Sequence, residues 1–200
     1  QDGQTRPGPG LIGQVNNVTR TTRVVEFNDV DALTAALAPG DVAAVLCEPA
    51  LTNCGMVLPD AGFHDTLRAL TRQQGTLLLI DETHTLSAGP RGYTGAYGLE
   101  PDAMVIGKAI AGGVPCAVYG FTNELAGRMH AAWRAAGPGR TGIGTTLSGS
   151  LLQMAALHAT LASLMRDEHY AVMLNRTAHY AERLGVVLER GLLSRLYGLE

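Results

Sequence analysis

Apolar positions along the chain fall into two periods, and their alternation predicts the architecture. Short unbroken apolar runs at Val42 to Cys47, Thr76 to Ile80, Ala103 to Ile106 and Pro115 to Phe121 are bounded by turn residues or acids, as expected of strands buried in a sheet. The β-branched stretch from Val18 to Phe27 predicts a further strand, followed by a short helix capped by Asn28 or Asp29 and ended at Ala38-Pro39-Gly40. Between the runs lie segments of helical spacing. One opens at Leu58-Pro59-Asp60, places Phe63, Leu67 and Leu70 on one side, and closes at Gln74-Gly75. Others cover Glu124 to Ala135, Leu151 to Met165 and Tyr170 to Leu193. Residues 1–17, the polar stretch from Glu82 to Pro101 and the Gly-rich connection from Gly137 to Gly144 read as loops.

Strands alternating with helices imply an α/β fold of three layers, a mostly parallel sheet with helices on both faces. Ligands of such sheets sit at the carboxyl ends of strands, and those ends here carry Glu48, Asp81 and Lys108. No internal repeat or low-complexity segment interrupts the pattern. The helix from Tyr170 onward reads as the start of a second unit, giving a division into 1–168 and 169–200.

Composition narrows the partners. The net charge of -3 and pI near 6.1 provide no basic field for nucleic acid, and no apolar run approaches the ~18 residues of a membrane span. A small molecule is the expected partner. Cys47, Cys54 and Cys116 form no CxxC pair and lie in or beside apolar segments, which fits reduced thiols in a cytoplasmic protein. The chain opens on Gln1-Asp2-Gly3 with no signal-peptide pattern and reads as a piece of a longer protein. Its last pair, Leu199-Glu200, is either native or a cloning scar.

One count changes the picture. Of 15 basic residues only Lys108 is a lysine. Either it is the survivor of an arginine-biased composition, or its amine is needed for chemistry that a permanently charged guanidinium cannot do. Lys108 follows a buried strand and lies among the small residues of Gly107-Lys108-Ala109-Ile110-Ala111-Gly112-Gly113, a setting expected to hold it in a pocket and to favour the free amine. The phosphate-loop pattern GxxxxGK[ST] is not met, since its first glycine is missing and Ala109 stands where Ser or Thr is needed. Asp81, after four apolar residues, either caps its own loop or keeps a heteroaromatic ring nitrogen protonated. Glu48 before Pro49 is either a loop acid or part of the same strand-end site. The run Thr145-Thr146-Leu147-Ser148 is either an anion-binding helix start or a plain cap. The histidines other than His84 (His64, His130, His158, His169 and His179) lack paired metal-ligand spacing. Arg91 and Tyr93, in the loop after Asp81, either reach a substrate or face water, the usual place of a loop arginine.

Taken together, Ala44 to Pro49, Leu79 to Thr85, Ala103 to Lys108, Gly112 to Pro115 and Gly144 to Gly149 resemble the class III aminotransferase family, in its usual order. The likeness is nearest the branch of glutamate semialdehyde aminomutase and the β-amino-acid aminotransferases, and it runs from about Val24 to Leu193. It implies part of the large domain of a fold type I enzyme using pyridoxal 5'-phosphate, leading into a small C-terminal domain. By that resemblance Lys108 forms the Schiff base and moves the substrate proton, and Asp81 pairs with the pyridine nitrogen. Thr83 packs on a ring face where valine is usual, and His84 donates a hydrogen bond near the ring oxygen. Glu48 lies on the substrate side. Thr146 grips the phosphate of the neighbouring subunit in a homodimer with shared sites. Gly149-Ser150-Leu151 departs from the frequent Gly-Asn-Pro, so a different local helix start is expected. The phosphate cup and the ring-stacking aromatic residue of the family precede Gln1. The implied reaction is amino transfer between an amino acid, including a β-amino acid, and a 2-oxo acid. Alternatives are an aminomutase of the glutamate semialdehyde type and an inactive fragment used for assembly.

Overall fold

A computed structural model describes residues 17–137, 144 and 146–189. The expectations for residues 1–16, most of the Gly-rich connection, Thr145 and the end of the last helix lie outside the described residues. Strands β1 (Ala44–Cys47), β2 (Leu77–Asp81) and β3 (Ala103–Ile106) run parallel in that order, and β4 (Val118–Phe121) closes the sheet antiparallel to β3. The helices are α1 (Val30–Leu37), α2 (Phe63–Gln74), α3 (Gly92–Tyr97), α4 (Asn123–Ala135), α5 (Leu151–Ser163) and α6 (Asp167–Glu189). None of the described helices is long and apolar enough to cross a membrane.

The core forms where the two periods meet. Leu78 and Ile80 point from β2 to the face covered by α1 and α2, where they join Leu33, Leu37, Phe63 and Leu67. Ile80, immediately before Asp81, has 0% exposure. Asp29 caps α1 by accepting from the Ala32 N–H at 2.8 Å, while Asn28, at φ 72°, instead bridges to Leu58 and Asp60. The other sheet face is not uniformly covered as expected: Leu46 of β1 is 65% exposed.

Three further expectations are corrected. Val18 to Phe27 is not a strand. It begins with a 3-10 turn at Val18–Arg20, Arg23 then forks onto Asp41 (2.6 and 2.7 Å) and reaches the Ala36 carbonyl of α1, and Val25 and Phe27 pack on the core. The helix expected from Leu58 starts at Phe63, because Gly62 takes a left-handed φ of 80°. The stretch from Glu82 to Pro101 is more than loop, since it contains a 3-10 turn (Thr85–Ala88) and α3. Glu82 organises that stretch. Its wholly buried carboxylate accepts from the Thr85 hydroxyl at 2.6 Å and from the backbone N–H groups of Tyr93 and Thr94. A Cβ on Gly92 would stand 2.9 Å from that carboxyl, so the close approach requires glycine.

Asp102 fixes the strand ends from the opposite side. It accepts a bidentate pair from Arg68 at 2.7 and 2.8 Å and the Leu78 N–H at 2.8 Å, and the Arg68 guanidinium above all holds its carboxyl below the usual carboxylate range. A lowered folded pKa means that the stabilisation is complete above the unfolded value, about 3.9, and is lost as pH falls through the folded one. Asp102→Asn, which leaves Arg68 unpaired, is expected to destabilise by about 2 to 4 kcal/mol at pH 7. The gap between variant and parent in denaturant unfolding should begin to close as pH falls below about 4 and go on closing through the lower folded value; a gap unchanged by acid would contradict this account.

Candidate functional site

The parallel register brings the chemistry to one edge. Cys47 pairs with Ile80 and Asp81 with Val105, so Glu48, Asp81 and Lys108 emerge from the carboxyl ends of three adjacent strands. One oxygen of Asp81 accepts from the Thr83 N–H at 2.9 Å, which is the loop-capping role. Its other oxygen takes no hydrogen bond among the described residues, so the cap uses only half the carboxylate.

Lys108 opens a 3-10 turn, Lys108–Ala111, with φ 51°. A left-handed lysine is uncommon and costs on the order of 1 kcal/mol, a strain typical of functional positions. Packing against α5 holds the turn: Gly112, at φ 60°, lies so close that a Cβ there would stand 3.3 Å from the Thr160 hydroxyl, and Gln153 donates to the Pro115 carbonyl at 2.9 Å. The Thr83 side chain lies over buried Gly107, where a Cβ would meet its methyl at 3.5 Å.

Thr83, His84 and Lys108 line one cavity of about 400 Å³. Its far wall is apolar, with Leu164, Met165, Tyr170 and Met173 from α6 and the turn before it, and with His169 beside them. The Tyr170 hydroxyl donates to the Leu86 carbonyl at 3.2 Å and ties that wall to the loop after β2. The expectation of a desolvated lysine is corrected, because Lys108 lines this cavity yet is exposed at its mouth.

Glu48 is outside the cavity lining but is joined to it. The Thr52 hydroxyl donates to Glu48 at 2.6 Å and lies 2.5 Å from His84 Nδ1. Burial above all, with Glu48 adding to it, pushes the neighbouring Cys47 thiol up to about 12, so it stays protonated and unreactive. Thr146 is apart from these residues, on an exposed turn before α5. The cap of α5 is Ser150, whose hydroxyl accepts from the Gln153 N–H at 3.3 Å. The plain-cap role therefore belongs to Ser150 and leaves Thr146 without that explanation. Arg91 and Tyr93 are not brought to the cavity; Tyr93 stacks on Tyr97 at 4.1 Å.

The residues passed over in the sequence are Thr52, Glu82 and the cavity wall around Tyr170. Glu82 carried a signal, since strand alternation turns the second of two adjacent acids to the opposite face from the first. Thr52 and the wall carried none.

The model of the family described as aminotransferase class-III matches residues 11–193. The chain belongs to the class III aminotransferase family. Among its curated family relatives, glutamate-1-semialdehyde 2,1-aminomutase of Roseiflexus castenholzii is 41% identical over 200 residues, covering 95% of this chain and 45% of that protein. The aminomutase of Syntrophomonas wolfei is 38% identical and covers 93% and 43%. Among solved structures, a glutamate-1-semialdehyde aminomutase from Pseudomonas aeruginosa is 52% identical with a TM-score of 0.79, covering 84% of this chain and 38% of that one. A β-phenylalanine aminotransferase from Variovorax paradoxus is 26% identical with a TM-score of 0.73, over 84% and 39%. The chain thus spans less than half the length of the class III proteins it matches. Its sheet is part of the large domain of fold type I enzymes, as expected. Within the family, the relatives favour the aminomutase alternative over amino transfer between two substrates.

Proposed function

We propose that this chain carries the covalent half of the active site of a pyridoxal phosphate-dependent aminomutase of the glutamate 1-semialdehyde type. The supporting observation is the pairing of Asp81 and Lys108 at adjacent strand ends in a chain 52% identical to a solved protein of that name. The site suits the cofactor: Asp81 has an oxygen to spare for a ring N–H, Thr83 offers a methyl beside it, and Lys108 offers an amine at the open mouth of a cavity. When bound, pyridoxal phosphate supplies an aldehyde carbon and a protonated ring that draws electrons from the carbon bearing the amine. Lys108 Nζ would hold that aldehyde covalently and, once free, would take up and return the proton of the substrate carbon that bears the amine. Asp81 keeps the ring nitrogen protonated, and Glu48 acts from the substrate side through Thr52 and His84. Thr146, exposed before α5, serves the phosphate of a second copy, so the working protein is a homodimer with shared sites. Residues 169–200 lead into the small domain. Free thiols at Cys47, Cys54 and Cys116 suit the reducing cytoplasm.

An aminomutase moves the amino group from carbon 2 to carbon 1 of one skeleton and leaves the carbonyl at carbon 2, so it needs no acceptor. The full-length protein should therefore convert glutamate 1-semialdehyde to its isomer, followed by NMR of the two carbons, with no oxo acid added. Turnover that requires pyruvate or 2-oxoglutarate would overturn this reading in favour of an aminotransferase, the activity named for the β-phenylalanine relative.

A further inference from the structure

Counting protons along Glu48, Thr52 and His84 assigns the state of the imidazole in the cavity. A threonine hydroxyl has one proton, and an ionised carboxylate can only accept. The 2.6 Å contact of Thr52 Oγ1 with Glu48 Oε2 therefore takes that proton, as a charge-assisted bond of this length does. The same hydroxyl oxygen stands 2.5 Å from His84 Nδ1 and has only a lone pair left to offer, so Nδ1 must carry the ring's hydrogen. In the neutral ring, Nε2 is then bare. His84 shares the cavity with Lys108, and His169 and Tyr170 are the other titratable groups on that wall. Among the described residues Nε2 has no hydrogen-bond partner.

We propose that Thr52 is a positioning residue that, backed by Glu48, locks His84 as its Nδ1–H tautomer and presents Nε2 as a hydrogen-bond acceptor to the amine held in the cavity. That amine is Lys108 Nζ before the cofactor is bound and the substrate's amino group during turnover, an assignment that rests on the aminomutase reading. It reverses the donor role expected of His84 from sequence. An acceptor there orients the lone pair of an incoming amine by engaging one of its hydrogens, whereas a donor would compete for that lone pair.

The test uses the full-length holoenzyme with ¹⁵N-labelled histidine, observed at about pH 8.5, where an ordinary imidazole is neutral. The His84 signal, identified by its loss in His84→Asn, should show a protonated Nδ1 and a bare Nε2, and Thr52→Val should release the ring to the opposite tautomer. A wild-type ring protonated on Nε2 overturns the proposal. In kinetics, Thr52→Val should lower kcat roughly tenfold with KM changed less, the loss of about one hydrogen bond. Thr52→Ser, which keeps the hydroxyl, should restore the rate, and Thr52→Val should add nothing in a His84→Asn background. An equal loss in both backgrounds would mean that Thr52 acts only on the fold, and would overturn the role. Wild-type protein with the assigned tautomer but no isomerase turnover would remove the aminomutase reading and leave the tautomer lock standing.

Discussion

Lys108→Arg is expected to abolish turnover, by on the order of a thousandfold or more, while leaving the fold and Tm close to the parent. Arginine keeps the charge and most of the length of the side chain, and the turn position, φ 51° and exposed, makes no demand for an amine on packing grounds. Chemically the two differ in kind. A guanidinium neither condenses with an aldehyde carbon nor releases and recovers a proton near neutral pH, and Lys108 is asked to do both. The same lysine can be found without a rate measurement. Borohydride reduction of the full-length holoenzyme should fix the cofactor to a single peptide containing Lys108, and the variant should take no label. Label only on an α-amine, or appreciable steady-state turnover of Lys108→Arg, would end the assignment.

The carboxyl ends of β1, β2 and β3 were legible because parallel strands announce themselves as unbroken apolar runs with an abrupt polar stop, and each stop here bears a reactive type. The lone lysine sharpened one of them. The segment from Val18 to Phe27 misled because β-branched composition reports a preference for pleated surface, whereas pairing depends on which long-range contacts the segment makes. The segment instead lays Val25 and Phe27 against the core under α1 and α2, with Arg23 on Asp41 across 18 positions at its surface. The Gly-rich stretch after Asp81 hid α3 for the opposite reason: its glycines read as breakers, yet Gly92 is there so that a helix start can close on the buried Glu82. Thr52 was invisible, since its role depends on a hydroxyl meeting a histidine 32 positions away. The apolar wall from α6 was likewise beyond local pattern, because Leu86 and Tyr170 meet across 84 positions.

Asp81→Asn separates the two roles that a strand-end aspartate can have. Ile80 behind it is fully buried, and the Thr83 N–H takes one carboxylate oxygen at 2.9 Å. An asparagine side chain keeps an oxygen for that N–H, so a residue that only caps its loop would be replaced with little consequence. The other position becomes an NH₂ group, which donates where the carboxylate accepts and carries no charge. A ring nitrogen facing it loses both its hydrogen-bond acceptor and the negative charge that holds its proton, and electron withdrawal from the reacting carbon weakens. Turnover of the full-length protein should fall on the order of a hundredfold or more, the scale of removing one preorganised electrostatic contact. Cofactor retention, read from absorbance after dialysis, should fall less, because the covalent link proposed for Lys108 would remain. Asp81→Ala, which removes the cap as well, should show the same loss of turnover together with a lower Tm. If Asp81→Asn stays within about threefold of the parent rate, less than about 1 kcal/mol in barrier, Asp81 is a loop cap alone and the ring nitrogen must be served by another group.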